Sequence, residues 1–355
     1  MADINLGSLT STTDLTNTIK SFYDRMLLEV LDPATKFYQF ATLKPLPGGE
    51  GTSVIWNRPT RLSVGQKLAP GIKPSANELS TSKVSALIET YGGYVVLEDL
   101  VQLTSITDVM NLATERLAIQ AAETIDRSIM QSIVNHADLP GVSAVHYIKA
   151  SAGQYLSTAG FVANVYSNTL IAVSDVRAVA TELRRRAASP YDGENFVGII
   201  HPVVEEDLTS DSTWQNWHQY TTPEFLYRGE IGRVHGVRFV RSQLAPISAG
   251  SADGQAMSGF GISALAYGTP IFGRGFYGAT ELDGGIKTYT VQGASKSDPL
   301  NQETTYGWKA FFTSKILNVS SGVVLWSGSN DTFNQSAASA RETAGLNIAA
   351  IPTAS

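Results

Sequence analysis

The sequence predicts an α+β fold, on three observations. One stretch of about 32 residues carries no Pro or Gly and repeats its apolar residues at helical spacing. Short β-branched and aromatic runs, set off by Gly and Pro, lie on both sides of it. A further helical pattern falls among the later runs, so strands and helices mix without a regular βαβ alternation.

Residues 1–50 open with a Ser/Thr-rich lead-in and continue as an amphipathic stretch from Leu15 to Phe40. In it Ile19, Phe22/Tyr23, Met26/Leu27 and Val30/Leu31 fall at helical spacing until Pro33 interrupts. An apolar helix on a polar leader reads as an arm that docks elsewhere, or as a first helix packing on its own domain.

Residues 51–97 read as a two-stranded excursion. The outgoing strand is Thr52 to Arg61 and the returning one Lys83 to Leu97, with Gly65, Pro70, Gly71 and Pro74 making an irregular tip. Between 51 and 88, Arg58, Arg61, Lys67, Lys73 and Lys83 face Glu78 alone, a net charge of +4.

The long helix is expected over 105–136, with Ser105 or Thr104 as its cap and Asp108 in its first turn. Glu123 and Arg127 form a favourably oriented i,i+4 pair. From 98 to 136, Arg116 and Arg127 stand against Glu98, Asp99, Asp108, Glu115, Glu123 and Asp126, a net −4. A basic hairpin and an acidic helix fit a contact in which Arg58, Arg61, Lys67 and Lys73 of one copy meet Glu115, Glu123 and Asp126 of the next. The same pairing within one chain fits equally.

The remainder, about 140–326, is mixed. Ser174 is expected to cap a helix that turns Val176, Val179, Leu183 and Ala187 inward and stops at Ser189-Pro190. Phe196–Ile200 and Val234–Val240 read as strands, the latter with a bulge or turn at Gly236. Ile286–Val291, Trp308–Val319 and Val323–Trp326 read as closing strands. The last 25 or so residues, rich in Ser, Ala and Thr, read as a tail.

Composition bounds the function. At 355 residues the chain is long enough for one elaborate domain or two ordinary ones. Only 16% of it is charged, below the usual quarter, which suits a subunit that covers much of its surface with copies of itself. The net charge of −6 argues against a basic nucleic-acid reader. Cysteine is absent, which removes disulfides, thiolate catalysis and cysteine metal sites. The first residues lack a basic and an apolar signal region, and no apolar run reaches membrane-spanning length.

The chemical motifs fail on context. Gly273-Arg274-Gly275-Phe276-Tyr277-Gly278 matches the dinucleotide pattern GxGxxG, but the residues after it cannot start the helix that a pyrophosphate needs. His201, with Glu205, Glu206 or His218, lacks a second His at metal-ligand spacing, so His201 reads as a residue preceding a capped helix. Glu205-Glu206-Asp207 reads as a solvated helix start, and Arg184-Arg185-Arg186 as a cationic helix end. No catalytic, cofactor or metal site is expected, and the chain is expected not to be an enzyme.

The order of elements, together with short segments, carries a resemblance. The segments are Tyr91-Gly92-Gly93-Tyr94-Val95-Val96 through Leu103-Thr104-Ser105, Ala121–Asp126, Ile199-Ile200-His201-Pro202, Ile231–Phe239, Ser297-Asp298-Pro299-Leu300 and Gly307-Trp308-Lys309. As an ordered set the chain resembles the major capsid proteins of tailed bacteriophages, which have the Hong Kong 97-type capsid fold. The resemblance implies an N-terminal arm (1–50), an E-loop hairpin (51–97) and a first part of the P-domain (98–160) with the spine helix. An A-domain (161–284), closing P-domain strands (285–326) and a C-terminal tail (327–355) follow.

It further implies self-assembly into hexamers and pentamers of an icosahedral shell around packaged double-stranded DNA. The expected partners are other copies, a separate scaffolding protein, a portal protein and decoration proteins, with no membrane. Assembly is expected in the bacterial host cytoplasm, ending in the virion. A bacterial nanocompartment shell of the same fold, encapsulin-like, is the alternative.

Overall fold

A computed structural model describes residues 35–49, 51–59, 62, 64–65, 67, 76–105, 109–134, 145–151, 154–157, 170–214, 230–248, 266–293, 299–300 and 302–328. A 3-10 turn, Tyr38–Phe40, precedes β1 (Thr42–Leu43). The hairpin strands β2 (Ser53–Pro59) and β3 (Thr81–Leu87) lead to β4 (Glu89–Glu98), the short helix α1 (Asp99–Thr104) and the long helix α2 (Val109–Val134). Then come β5 (His146–Ser151), β6 (Gln154–Ser157), α3 (Val173–Arg185), β7 (Phe196–Ile200), α4 (Pro202–Ser210), β8 (Glu230–Val234) and β9 (Val237–Arg241). The described elements end with β10 (Ile247–Ser248), β11 (Ala266–Phe272), β12 (Tyr277–Val291), β13 (Glu303–Ile316) and β14 (Gly322–Ser327).

Two sheets share one helix. The first has the strand order β1-β12-β13-β4, and α2 lies along one of its faces. At 26 residues α2 spans about 39 Å. Its first half is lined with small residues, so that Ala113, Leu117, Ala118 and Ala121 pack against Leu97, Tyr306, Trp308 and Ala310. The approach is close at Gly93. A Cβ on Gly93 would meet Gln120 Oε1 at 2.4 Å, in the place where Trp308 Nε1 donates to that oxygen at 3.2 Å.

The second half of α2 changes partner. Ile125, Ile129, Met130 and Ile133 enter a core with Phe272, Phe276, Tyr277, Phe312 and Trp326 that joins the two sheets. The second sheet runs β6-β5-β14-β11-β7-β9-β8, with β10 on β11. Its central strands β7, β11 and β14 are buried along their whole length. Strand alternation divides their side chains. Val197, Ile199, Val324 and Trp326 face the shared core, while Phe196, Ile200, Val323 and Leu325 pack with Val176, Leu183, Val204 and Leu208 of α3 and α4.

Several expectations are corrected. The long helix is described over Val109–Val134, and before it the chain makes α1; residues 106–108 and 135–136 lie outside the described residues. The Ser105 N–H bonds the Val101 carbonyl at the end of α1, and the Thr104 hydroxyl donates to the Leu100 carbonyl. The returning hairpin strand divides at Ile88, where β3 pairs with β2 and β4 pairs with β13. Sheet pairing also cuts across the expected boundaries: β5, β6 and β14 belong to the second sheet, and β12 starts at Tyr277 in the first.

Ala172, not Ser174, stands at the start of α3. There the Asp175 carboxylate accepts the Ala172 N–H at 2.8 Å, and the Asp175 N–H returns to the Ala172 carbonyl at 3.0 Å. The Val234–Val240 run is two strands, not one. His235 (φ 50°) and Gly236 (φ 80°) both take positive φ, as a two-residue type I′ hairpin turn requires. The amphipathic run from Leu15 lies outside the described residues through 34, as does the tail beyond 328.

Ala187 does not continue the inward stripe of α3. It is exposed and left-handed (φ 51°), with its N–H bonded to the Arg184 carbonyl and the Ala188 N–H bonded to Leu183. This is a Schellman stop with alanine at the position where glycine costs nothing. Ala187→Gly is therefore expected to stabilise the subunit by about 0.5–1 kcal/mol, read as a shift in the urea denaturation midpoint at unchanged slope.

Candidate assembly surface

The hairpin stands on a footing of its own. Among the described residues β2 and β3 pair only with each other, from Ser53↔Leu87 to Pro59↔Thr81. One face of its base buries Val54, Trp56 and Ala86 against Leu46, Ile88 and Leu317. Lys44 Nζ donates to the Ile55 carbonyl at 2.6 Å, tying the base to the segment that enters β1. Beyond this footing the described hairpin residues are exposed. Arg58 and Lys67 are exposed there, together with Leu62, Val64 and Leu79. Arg61 and Lys73 lie outside the described residues.

The acids assigned to the long helix separate into different environments. Glu115 is exposed, beside exposed Arg116, and Glu123 is half-buried. Burial lowers the Arg127 pKa, with the Glu123 charge opposing. Among the described residues no ion pair joins Arg58 or Lys67 to Glu115 or Glu123.

Asp126 is removed from the contact set. It is 0% exposed, and its carboxylate accepts the backbone N–H groups of Lys36 at 2.8 Å, Phe37 at 3.2 Å and Tyr38 at 3.0 Å. Tyr277 closes the same clamp by donating its hydroxyl to the Phe37 carbonyl at 2.6 Å, and the Tyr38 hydroxyl donates to Glu281. The carboxylate thus fixes the root of the N-terminal segment to the middle of the helix. This was partly legible in the sequence: Asp126 lies four residues from Ala122 and from Met130, both buried, and so on the apolar stripe.

Sequence reasoning missed a second feature. The face of the first sheet opposite α2 carries a row Tyr289–Gly307–Tyr94 and a row Val291–Thr305–Val96, each three strands wide. All four large side chains are exposed, Tyr94 at 73% and Val291 at 60%. The signal was present in one strand: Tyr94, Val95 and Val96 are consecutive apolar residues, so both faces of β4 carry them.

The motifs tested in the sequence have structural roles. Gly273–Gly278 joins β11 to β12, strand to strand, and no helix follows it. His201 is the N-cap of α4, accepting the Val203 N–H on Nδ1 at 3.3 Å, and its ring lies 5.1 Å from that of Tyr267. Glu205 pairs with Arg241 on the neighbouring strand. In the arginine run, Arg185 and Arg186 bond Glu182, Arg186 also bonds the Tyr147 hydroxyl, and Arg184 donates to the His235 carbonyl. Among the described residues no group of three or more His, Asp or Glu could hold a metal ion. No described helix is long and apolar enough to cross a membrane.

A long helix backed by a long-stranded sheet, a projecting hairpin and a second α/β layer define the class: this is the Hong Kong 97-type fold of phage capsid proteins. The capsid of Ralstonia phage GP4 superposes with a TM-score of 0.61 at 11% identity, over 84% of this chain and 92% of that one. The capsid of cyanophage P-SCSP1u gives 0.62 at 17% identity, over 84% and 89%. That of cyanophage Pam1 gives 0.62 at 15%, over 85% and 92%. No family model matches the sequence, and no curated protein matches it.

The Asp126 clamp sets a pH dependence. Desolvation raises its pKa from 3.8 to about 6, against the opposing pull of the three N–H donors and of Lys36. A carboxyl raised on folding contributes stability that is present in full below pH 3.8 and lost as pH rises through 6, on the order of 3 kcal/mol in all. Subunit unfolding free energies at pH 4 and pH 7 should show this component in the native protein and not in Asp126→Asn. Equal pH profiles for the two would remove the assignment.

Proposed function

We propose that this chain is the major capsid protein of a bacteriophage, assembling as hexamers and pentamers into an icosahedral shell around packaged double-stranded DNA. The observation that carries the reading is the projecting hairpin. It has a small core of its own, and beyond that core it exposes apolar and cationic side chains that its own chain leaves uncovered. Such a hairpin serves either as a flap over a site or as an arm across a neighbour, and its uncovered apolar and cationic side chains favour the arm. Superposition on phage capsid subunits over most of both chains supports the same reading.

In this reading the function is structural and non-catalytic. The clamped segment at Asp126 roots the N-terminal arm, and the hairpin cations Arg58, Arg61, Lys67 and Lys73 meet an acidic surface of the neighbouring copy. Glu115 and Glu123 on the long helix are the acids the sequence points to. Each interface is weak alone, and the shell gains its stability from several closing together. A separate scaffolding protein, a portal and decoration proteins complete the partners. DNA meets the wall without sequence readout, as the acidic net charge requires. The subunits assemble in the host cytoplasm and end in the virion.

Electron microscopy of the purified protein, alone and with its scaffolding protein, tests the role. Closed shells support it, and a small monodisperse monomer or dimer under every assembly condition overturns it. Nucleic acid inside shells recovered from the host distinguishes a genome container from a protein-filled nanocompartment. The double variant Arg58→Glu with Arg61→Glu should lose shells in the same assay while keeping the circular dichroism and melting temperature of the native subunit. Loss of folded subunit in proportion would place these residues in the core instead.

A further inference from the structure

We infer that the turn joining β8 to β9, with the adjoining row of α3, is a docking surface for the phosphodiester backbone of double-stranded DNA. The inference rests on the shell reading and names the part of the wall that meets the nucleic acid. Arg177 and Arg184 stand seven residues apart on α3, two turns or about 10 Å, so they form one row, and both are exposed. That row adjoins the turn. Arg184 Nη2 donates to the His235 carbonyl at 3.1 Å, and a Cβ on Gly236 would meet the same nitrogen at 2.5 Å. Burial, and then the charges of Arg177 and Arg184, push the His235 pKa down. Two guanidinium groups thus converge on one half-buried imidazole.

The chain itself does not neutralise this patch. Glu182 lies on the other side of α3, where it holds Arg185 and Arg186. Asp192 pairs with Arg238, and Glu205 with Arg241. Glu194, whose backbone runs beside Gly236, is not paired with either arginine of the row, and among the described residues no carboxylate forms an ion pair with Arg177 or Arg184. The matching layer of a second copy has most of its acids engaged in the same way, so it is a poor counterpart. A DNA duplex is a good one, with a phosphate charge about every 1.7 Å of its axis. The guanidinium fork fits phosphate oxygens, and Arg184 spends one N–H on His235 while keeping the others. Contacts of this kind position a backbone without reading sequence, in keeping with a chain whose net charge is −6.

The test uses the full-length subunit before assembly and a short fluorescent duplex of mixed sequence, with anisotropy read across a salt series. Each phosphate contact contributes about 0.9 to the slope of log affinity against log salt. Arg177→Gln is expected to lower the slope by about 1, and Arg177→Gln with Arg184→Gln by about 2, at unchanged circular dichroism. The charge-matched pair Arg58→Gln with Lys67→Gln, on the hairpin, is expected to keep the native slope. Arg177→Gln replaces an exposed side chain, so it keeps the test decisive should the double variant misfold. Equal losses in the two double variants would mean general attraction to cations and overturn the inference. A native slope in both Arg177 variants, with loss of particles under the electron microscope, would give the patch to an acidic face of a neighbouring copy and overturn it as well. Particles from a native protein that binds no duplex at low salt would sink the inference and leave the shell reading standing. If the native protein forms no particles under any condition, the shell reading itself fails, and the inference with it.

Discussion

A helix 26 residues long needs an apolar partner at nearly every turn. In α2 that demand is met by two surfaces in succession, and the rest of the structure is arranged around the hand-over. Alanines at 113, 118 and 121 bring the first half close against the long strands β13 and β4, and larger side chains from Ile125 onward fill the space between the two sheets. Burial along the helix therefore joins the sheets into one body. The cost of a cavity anywhere along it is correspondingly high.

Fixing the helix fixes what leaves the body. The N-terminal segment is held where it crosses Asp126, by three backbone donors on one buried carboxylate. The hairpin is held differently, by Val54, Trp56 and Ala86 against Leu46, Ile88 and Leu317, a cluster far smaller than the central core. The N-terminal segment and the hairpin are thus rooted by different means, a buried polar clamp and a small apolar cluster.

The sheet face opposite α2 shows what folding leaves unfinished. A two-layer body covers one side of its sheet and exposes the other, and exposed sheets normally answer with polar residues. Here the exposed side presents two tyrosines and two valines with a glycine between them. Exposed apolar side chains grouped in this way are the kind of patch that marks a contact with a partner. It extends the low charge content of the whole chain to a particular place.

The sequence by itself determined the elements that depend on local periodicity and punctuation. The long helix, the strand Phe196–Ile200, the hairpin and the helix that His201 caps all follow from spacing, turn residues and capping chemistry, which act within a few residues. What only the tertiary structure decided was partnership. The break of the returning strand at Ile88 follows from β4 pairing with β13, more than two hundred residues away. The role of Asp126 depends on backbone groups 88–90 residues distant, so a helix pattern could place it on a stripe but not name its partner. The exposed band exists because strands from two distant parts of the chain bring Tyr94 and Tyr289 to either side of Gly307. Registers between distant strands are set by the packing of the whole, and no local rule contains them.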